Sequence, residues 1–523
     1  MHALRRTLST CLVLAISLGA LTGCKITSDD IDTWTRTVKG PGKIVAVILA
    51  DRYPMELRQQ AALALVRMDR TDRNGVEMLK QAVDRLKESD EEAVKTIIDG
   101  IASDLIALME GEETVTDDNL GPPAQQIRAK DSAYFLIPYA NAETRAQLTR
   151  AVVAWYARDF ANRSLSGDYS VEQVVRTLGA PAARQLIDAM DFRVPAAALV
   201  KISELIGQIG DDETKRLAGE KLVEIETAME VVDGPFIEWL KGEVRAAFEA
   251  SDREVDDNYV ALTASTTRER IITTGALPAM KHLASVDSVR ARLMTIAMAA
   301  PPEGSPDGAV VAINNRRQTA LMALEGNARS SELSQLLDLA LNESNAINVR
   351  DYAFDRVGDI GDRAAIPRLW PLVINPSNED LPKRLRWRGG ELVLSLGGPD
   401  VVPEFFSKLP SDSGVEYEPQ ELEGYATQIS QMTRQPTQVV ENQLSAQEWY
   451  KRVIALRFIE RRGSEADVSK MQRLVRDQAA VVGDGWAGRE ITNVGGVAES
   501  AIAALRERLA SPTTAAPAES EDE

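Results

Sequence analysis

The sequence predicts an all-α protein, an α-solenoid of stacked antiparallel helix pairs, because two side-chain patterns recur in step along the chain. In the first pattern an arginine is followed three residues later by alanine and four further on by an aliphatic residue, which places all three on one helix face. The copies that begin at 317 and 350 are 33 residues apart, and those at 350 and 452 are 102 apart, three times 34. The four copies are Arg58/Ala61/Leu65, Arg317/Ala320/Leu324, Arg350/Ala353/Val357 and Arg452/Ala455/Ile459.

The second pattern is an apolar face on the helix that follows, with apolar residues at positions i, i+3, i+4 and i+7. It begins at Leu333, Ile366 and Val402, which are 33 and 36 residues apart, and a weaker copy begins at Ala183. Residues 206–211 also match residues 357–362, 151 positions away, with four identities in six. A helix pair of about 35 residues cannot bury both apolar faces alone, so neighbouring pairs must stack.

The repeat geometry predicts a structural role for each repeated residue. Alanine lets one helix approach the next closely. Gly358, Gly361 and Asp362 are expected to close their helix, with a glycine at the helix end in a left-handed conformation. The repeated arginine is expected to form a salt bridge or to cap carbonyl groups between adjacent repeats, and a ligand-binding role is the less favoured alternative.

The best copy of the unit lies between Val349 and Val373, and it resembles the HEAT repeat of the short, phycobilisome-lyase-like type. The resemblance extends over about 41–510 and is closest over 309–475. It implies a HEAT/armadillo-like superhelix that binds partners, and it implies no reaction. The residues that carry it are Val349-Arg350, Ala353, Val357-Gly358, Ile360-Gly361-Asp362 and Ala365-Ile366-Pro367.

Residues 1–23 have the layout of a secretory signal, with Arg5 and Arg6 ahead of an apolar run from Leu8 to Leu18. The run is shorter than the roughly 20 apolar residues that a membrane-spanning helix needs. We therefore expect this segment to be removed from the mature protein.

The signal ends in a sequence that resembles the lipobox of bacterial lipoproteins: Leu21, Thr22, Gly23 and Cys24. The resemblance implies cleavage before Cys24 and acylation of its thiol, and an ordinary signal peptide is the alternative. Lys25 is the residue type that permits transport to the outer membrane in enteric bacteria. We expect a lipid-anchored protein on the periplasmic side of the cell envelope, in the outer membrane, tethered to the membrane without spanning it.

Composition excludes several classes of function. Cys11 and Cys24 are the only cysteines, so the mature chain has no disulfide and no thiol available to a metal. The net charge is −19, and loss of two arginines with the signal makes it −21, which disfavours nucleic acid as a partner. No cofactor is expected.

Composition divides the rest of the chain into a spacer, a solenoid with two irregular stretches, and a tail. Residues 24–40 are predicted to be a membrane-proximal spacer, and 41–510 the solenoid. Residues 301–308 (PPEGSPDG) are a loop or a hinge, and the loop is favoured because the repeat phase is strongest directly after it. Residues 411–436 are predicted to be an irregular insertion, and the acidic tail 511–523 to be disordered.

The insertion 411–436 is the candidate partner-binding element, because long loops in compact arrays are often functional. The alternative is a solvated insertion without a function. The candidate contact residues are Glu416, Tyr417, Glu418, Glu421 and Tyr425.

The sequence predicts a non-catalytic scaffold that binds protein partners in the cell envelope. His282 is the one histidine after the signal, and neither a catalytic triad nor a zinc site can be assembled around it from sequence. Two alternatives stay open: an envelope enzyme, or its accessory subunit, that uses paired carboxylates in a groove, and a calcium-dependent binding protein.

Overall fold

The computed structural model describes residues 26–111, 122–251 and 256–510, and over these ranges the protein is all-α. The described residues contain no β-strand, and one isolated antiparallel bridge joins Ala480 and Asn493. Consecutive helices pack against each other in pairs, which confirms the predicted α-solenoid. The chain forms two compact units, unit 1 (Met1–Arg292) and unit 2 (Leu293–Glu523).

The first helix of unit 1 begins at Ser28, close to the first described residue. Helix Asp287–Met298 crosses the division between the units. The others are Ser28–Trp34, Gly40–Leu49, Met55–Arg67, Gly75–Ser89, Glu91–Glu110, Ala124–Leu136, Ala142–Arg158, Phe160–Arg163, Val171–Leu178, Ala180–Gln185, Ala196–Ile209, Asp212–Glu230, Pro235–Glu249, Asp257–Ile271 and Leu277–Lys281.

Unit 2 contains the best copies of the sequence repeat. Its α-helices within the described ranges are Asp307–Ala323, Leu333–Leu341, Ile347–Ile360, Ile366–Val373, Asp380–Gly397, Val402–Lys408, Pro419–Gln431, Thr437–Asn442, Trp449–Arg462, Val468–Gln472, Asp484–Ala487 and Val494–Ala510.

Three of the four repeated arginines, Arg58, Arg317 and Arg350, are buried, and these three cap the preceding helix. The last carbonyl groups of a helix lack intrahelical partners and carry the negative end of its dipole, so a guanidinium donor there is doubly favourable. This confirms the predicted carbonyl-capping role. The three hydrogen bonds, each 2.9 Å long, run from Arg58 Nε to the Ile48 oxygen, from Arg317 Nε to the Ala297 oxygen and from Arg350 Nε to the Ala340 oxygen.

The fourth arginine, Arg452, has a different pair of partners. Its Nη1 donates to the Ala446 oxygen at 2.6 Å, and its Nε lies 2.9 Å from Asp477 Oδ2. The alanines that follow the four arginines are fully buried, as the close approach of neighbouring helices requires.

The two matching helix ends, 206–211 and 357–362, share their aspartate and differ at their glycine. Asp211 and Asp362 each accept a backbone N–H of the next turn, from Thr214 and from Ala364. Gly361 has φ 68° and ψ 17°, the predicted left-handed conformation, whereas Gly210 has φ −64°. At 210 glycine is needed for space, since an added Cβ would lie 2.7 Å from the Ile206 oxygen.

Two predicted irregular segments contain helices. Within the spacer 24–40, Ser28–Trp34 is a helix that packs on the first repeat, because Ile31 is 1% exposed and acts as a core residue. Within 411–436, Pro419–Gln431 is a helix with a buried apolar face, so the segment is a member of the stack. The loop at 301–308 ends at helix Asp307–Ala323, inside unit 2.

Candidate functional site

Unit 2 contains a cleft of about 650 Å³, within the size range of ligand sites. It lies on three alternate helices of the stack: the first cleft helix (Ile347–Ile360), the second (Asp380–Gly397) and the third (Pro419–Gln431). Trp387 and three cations, Lys383, Arg384 and Arg388, line it together with seven carboxylates. The carboxylates are Asp351, Asp355, Asp380, Glu391, Glu418, Glu421 and Asp484.

The second cleft helix presents its cleft residues because of helical spacing. Arg384, Trp387, Arg388 and Glu391 are three or four residues apart, so they share one face. Gly389 and Gly390, on the other side, allow neighbouring helices to come close. An added Cβ at Gly390 would lie 2.6 Å from the Tyr425 ring.

Ion pairs join the first two cleft helices at the period of the repeat. Arg384 pairs with Asp351 and Arg388 with Asp355, each across 33 residues of sequence. Arg388 Nη1 also lies 3.5 Å from Glu391 Oε2. Burial raises the pKa of Asp351, and the neighbouring Arg384 opposes the change. These pairs fix one wall of the cleft. The cleft-lining carboxylates outnumber the cationic side chains, so some of them face the cleft without an arginine partner.

Arg386 lies beneath the cleft at the position of the repeated arginine, and it donates to carbonyl groups of the connections between helices. Its Nη1 donates to the oxygens of Asn375 (3.1 Å) and Ser377 (3.0 Å), and its Nη2 donates to the oxygen of Glu416. The guanidinium carbon lies 4.4 Å from the centre of the Tyr417 ring, in cation–π contact. The sequence pattern missed this copy because Gly389 stands where the other copies have alanine.

Glu421 is a buried acid on the cleft floor, 2% exposed. Burial raises its pKa to about 7, and the charge of Arg386 and the hydrogen bond from Tyr425 oppose that change. The Tyr425 hydroxyl donates to Glu421 Oε1 at 2.9 Å, and Arg386 Nε lies 3.7 Å from the same oxygen. This carboxyl therefore exchanges its proton near neutral pH.

Trp387 brings a donor to the cleft. Its indole Nε1 is buried and has no hydrogen-bond partner in the described part of the chain. An added Cβ at Gly424 would lie 3.5 Å from this nitrogen and 3.3 Å from Glu391 Oε1. Glycine at 424 thus keeps open the space beside both groups.

The five contact residues predicted from sequence separate into two groups. Tyr417, Tyr425 and Glu421 are buried, and of these three Glu421 lines the cleft. Glu416 and Glu418 are partly exposed. Glu418 Oε2 accepts the Gly485 N–H at 2.8 Å and Oε1 accepts the Asp484 N–H at 3.2 Å, which holds helix Asp484–Ala487 against the cleft.

The burial of the two tyrosines has a packing reason that sequence does not reveal. The Tyr417 ring lies 4.5 Å, centre to centre, from Tyr450, and the Tyr425 ring lies 5.2 Å from Phe405. Aromatic contacts at these distances stabilise a core beyond their buried area. The cleft residues that sequence reasoning missed, Trp387 above all, belong to a helix without an exceptional local motif.

The remaining sequence-based candidates lie elsewhere. Leu21, Thr22, Gly23 and Cys24 are outside the described residues. His282 is partly buried, and burial lowers its pKa.

Unit 1 contains a second buried charged group, Lys130, which is 0% exposed. Its Nζ donates to the oxygens of Ser166 (2.8 Å) and Tyr169 (3.0 Å) and lies 2.5 Å from Asp131 Oδ1. Burial lowers the pKa of Lys130 and raises that of Asp131. All these contacts are internal, so the pair has a structural role in holding the 164–170 connection.

Across 26–111, 122–251 and 256–510, no group of three or more histidine, cysteine, aspartate or glutamate side chains is arranged to hold a metal ion. In the same ranges, none of the helices combines the length and the apolar character needed to cross a membrane.

Comparisons with known proteins add no family to this description. No protein-family model matches the chain, and no curated protein matches it.

Proposed function

We propose that this chain is a lipid-anchored, periplasm-facing scaffold that binds a protein partner through the charged cleft of unit 2. The observation that carries the proposal is the cleft itself: three alternate helices of the stack line it, and it contains Trp387, whose buried N–H has no hydrogen-bond partner among the described residues. Buried donors in folded proteins nearly always have a partner, so such a donor in a cleft is a candidate contact for a bound molecule. Stacked helical repeats commonly bind partners along surfaces of this kind.

The anchor and the location rest on the amino-terminal sequence. Leu21, Thr22, Gly23 and Cys24 follow a basic start and a short apolar run, and acylation of Cys24 would tether the chain to the bacterial cell envelope, in the outer membrane.

The experiment is crosslinking and affinity recovery of the tagged protein from intact envelopes. The wild type is compared with Cys24→Ala, with Trp387→Leu, and with Glu303→Gln as a matched control in an exposed loop of unit 2. We expect the wild type and the control to recover one or two proteins in the membrane fraction. Cys24→Ala should leave that fraction, and Trp387→Leu should stay there but lose the recovered proteins. Unchanged recovery with Trp387→Leu would exclude the cleft as the binding site.

A second candidate function is hydrolysis by carboxylates. The observation that favours it is the raised pKa of both Glu421 and Asp351, two acids that line one cleft, since a general acid works best with a pKa near the working pH. Scaffolding is preferred because Asp351 is held in an ion pair with Arg384. Screening the purified protein against envelope glycans decides between them: turnover that Glu421→Gln abolishes would establish the enzyme.

A further inference from the structure

The side chains that line the cleft carry a net negative charge, which limits the kind of molecule that can bind there. Seven carboxylates face three cationic side chains, an excess of four negative charges when all are ionised. One of the three cations, Lys383, is also 3.0 Å from Glu416 Oε2, so part of its charge is already neutralised from outside the cleft. A field of this sign in a partly enclosed space attracts cations and repels anions.

The carboxylates differ in what already engages them. Asp351 and Asp355 are paired with arginines of the second cleft helix, and Glu418 accepts two backbone N–H groups. In the described part of the chain the Asp484 carboxylate has neither an ion pair nor a hydrogen bond, while Glu391 is held only by a 3.5 Å contact with Arg388. Asp484, Glu391 and Asp380, whose one ion-pair contact is 3.8 Å from Lys383, are therefore the groups best able to receive a further cation. Of these, Glu391 lies beside the space next to Trp387.

Trp387 supplies two more features that a bound molecule must match. Its indole face attracts a cation that lies within about 6 Å of the ring centre. Its Nε1–H can donate to a carbonyl oxygen, and the space kept open by Gly424 lies beside that nitrogen and beside Glu391. A molecule that carries a planar cation together with an amide carbonyl matches the indole face, the donor and the carboxylates together.

We propose that the cleft binds a basic peptide segment of the protein partner, with an arginine or lysine side chain on the face of Trp387 and against Glu391 and Asp484. The inference rests on the proposed function, since it names the chemistry of the partner at the same site. A backbone carbonyl of the same segment accepts from Trp387 Nε1. An arginine fits best, because its guanidinium is planar, stacks on an aromatic ring and donates to a carboxylate through two N–H groups.

The test uses the full-length protein in mild detergent and fluorescein-labelled nonapeptides in an anisotropy titration. One peptide carries two arginines among glycine and serine, the second has citrulline in place of arginine, and the third has glutamate. Citrulline keeps the shape of arginine without its charge. We expect the citrulline peptide to bind at least about 10-fold more weakly than the arginine peptide, and the glutamate peptide not to bind. Raising the salt concentration should weaken binding of the arginine peptide, because salt screens the attraction between charges.

Three variants locate the site. Trp387→Leu should weaken binding of the arginine peptide about 5- to 20-fold, the range expected from loss of a cation–π contact. Gly424→Ala changes no charge and should also weaken binding, because its methyl group stands beside Trp387 Nε1; alanine favours a helix, so its folding is secure. Glu303→Gln should leave affinity unchanged.

Three results would overturn the inference. They are equal binding of the arginine and citrulline peptides, arginine-peptide binding that neither Trp387→Leu nor Gly424→Ala weakens, and Trp387-dependent binding of a neutral oligosaccharide without binding of any peptide. If recovery of envelope proteins depends on Trp387 but none of the peptides binds, the basic-peptide inference is wrong and the scaffold proposal is retained. If recovery does not depend on Trp387, the cleft is not the partner-binding site, whether or not the peptides bind.

Discussion

Glu421 should make the stability of unit 2 depend on pH, and Glu421→Gln should remove that dependence. Burial raises the pKa of this carboxyl from 4.5 to about 7. Between these two values the folded protein keeps the proton on Glu421 while the unfolded chain has lost it. The stability that neutral Glu421 contributes is therefore complete below pH 4.5 and declines as the pH rises to 7.

The size of the effect follows from the same two pKa values. A pKa raised from 4.5 to about 7 corresponds to about 3 kcal/mol of unfolding free energy, at about 1.36 kcal/mol per pH unit. Glutamine keeps an oxygen that can accept from the Tyr425 hydroxyl but has no charge to bury. The variant should accordingly gain stability relative to the wild type between pH 5 and pH 8, by an amount approaching this figure.

The assay is urea unfolding of both proteins at pH 5, 6, 7 and 8, followed by tryptophan fluorescence, to which the buried Trp449 and Trp486 of unit 2 contribute. Tyr425→Phe removes the hydroxyl that stabilises the carboxylate, so it should raise the pKa of Glu421 further and steepen the loss of stability above pH 7. If the free-energy difference between wild type and Glu421→Gln is the same at pH 5 and pH 8, the pKa of Glu421 is not raised in the folded protein.

Three further substitutions test side-chain packing inside unit 1 or inside unit 2, and urea unfolding measures the effect of each. Arg350→Met should destabilise unit 2 by about 1–3 kcal/mol, because the Ala340 carbonyl loses its buried donor. Gly390→Ala should destabilise it by about 1–3 kcal/mol, because the new methyl group meets the Tyr425 ring, and this outweighs the gain in helix propensity. Lys130→Met should destabilise unit 1 by about 3–5 kcal/mol, because it leaves the charge of its buried neighbour unpaired.

Each of these substitutions has a matched control. Gly242, also inside a helix, has nothing within 4 Å of an added Cβ, so Gly242→Ala should stabilise unit 1 by about 0.5–1 kcal/mol. The double variant Lys130→Met/Asp131→Asn should regain part of the loss, since it removes both buried charges. For Arg350, the lysine variant should recover little, because lysine lacks the planar fork of donors. Equal effects of the two glycine substitutions would contradict the packing argument.

The repeat could be predicted from sequence because its signal is local and periodic. Arg350, Ala353 and Val357 share a helix face by spacing alone, and the recurrence of that face every 33–36 residues requires stacking. The same spacing predicted that the repeated arginines would form salt bridges or cap carbonyl groups. The pattern missed Arg386, which binds carbonyl groups of the connections between helices, because Gly389 replaces the alanine while meeting the same need for close approach.

The cleft could not be predicted, because its parts are far apart in the sequence and none forms a motif. Trp387, Glu421 and Asp484 meet only when three helices and a later short helix are stacked. Their burial also depends on neighbours: Tyr417 and Tyr425 look like exposed residues of a polar loop until Tyr450 and Phe405 pack against them.

Short-range spacing was enough to predict the all-α solenoid, its period and the structural role of its repeated arginines, since helix formation and nearest-neighbour stacking follow from that spacing. The position of the cleft, the pairing of its carboxylates and the burial of Glu421 depend on how the helices pack. Pairing and burial are properties of the space between helices, and that space is set by side chains some 30 to 70 residues apart, such as Arg384 with Asp351 and Trp486 with Tyr417.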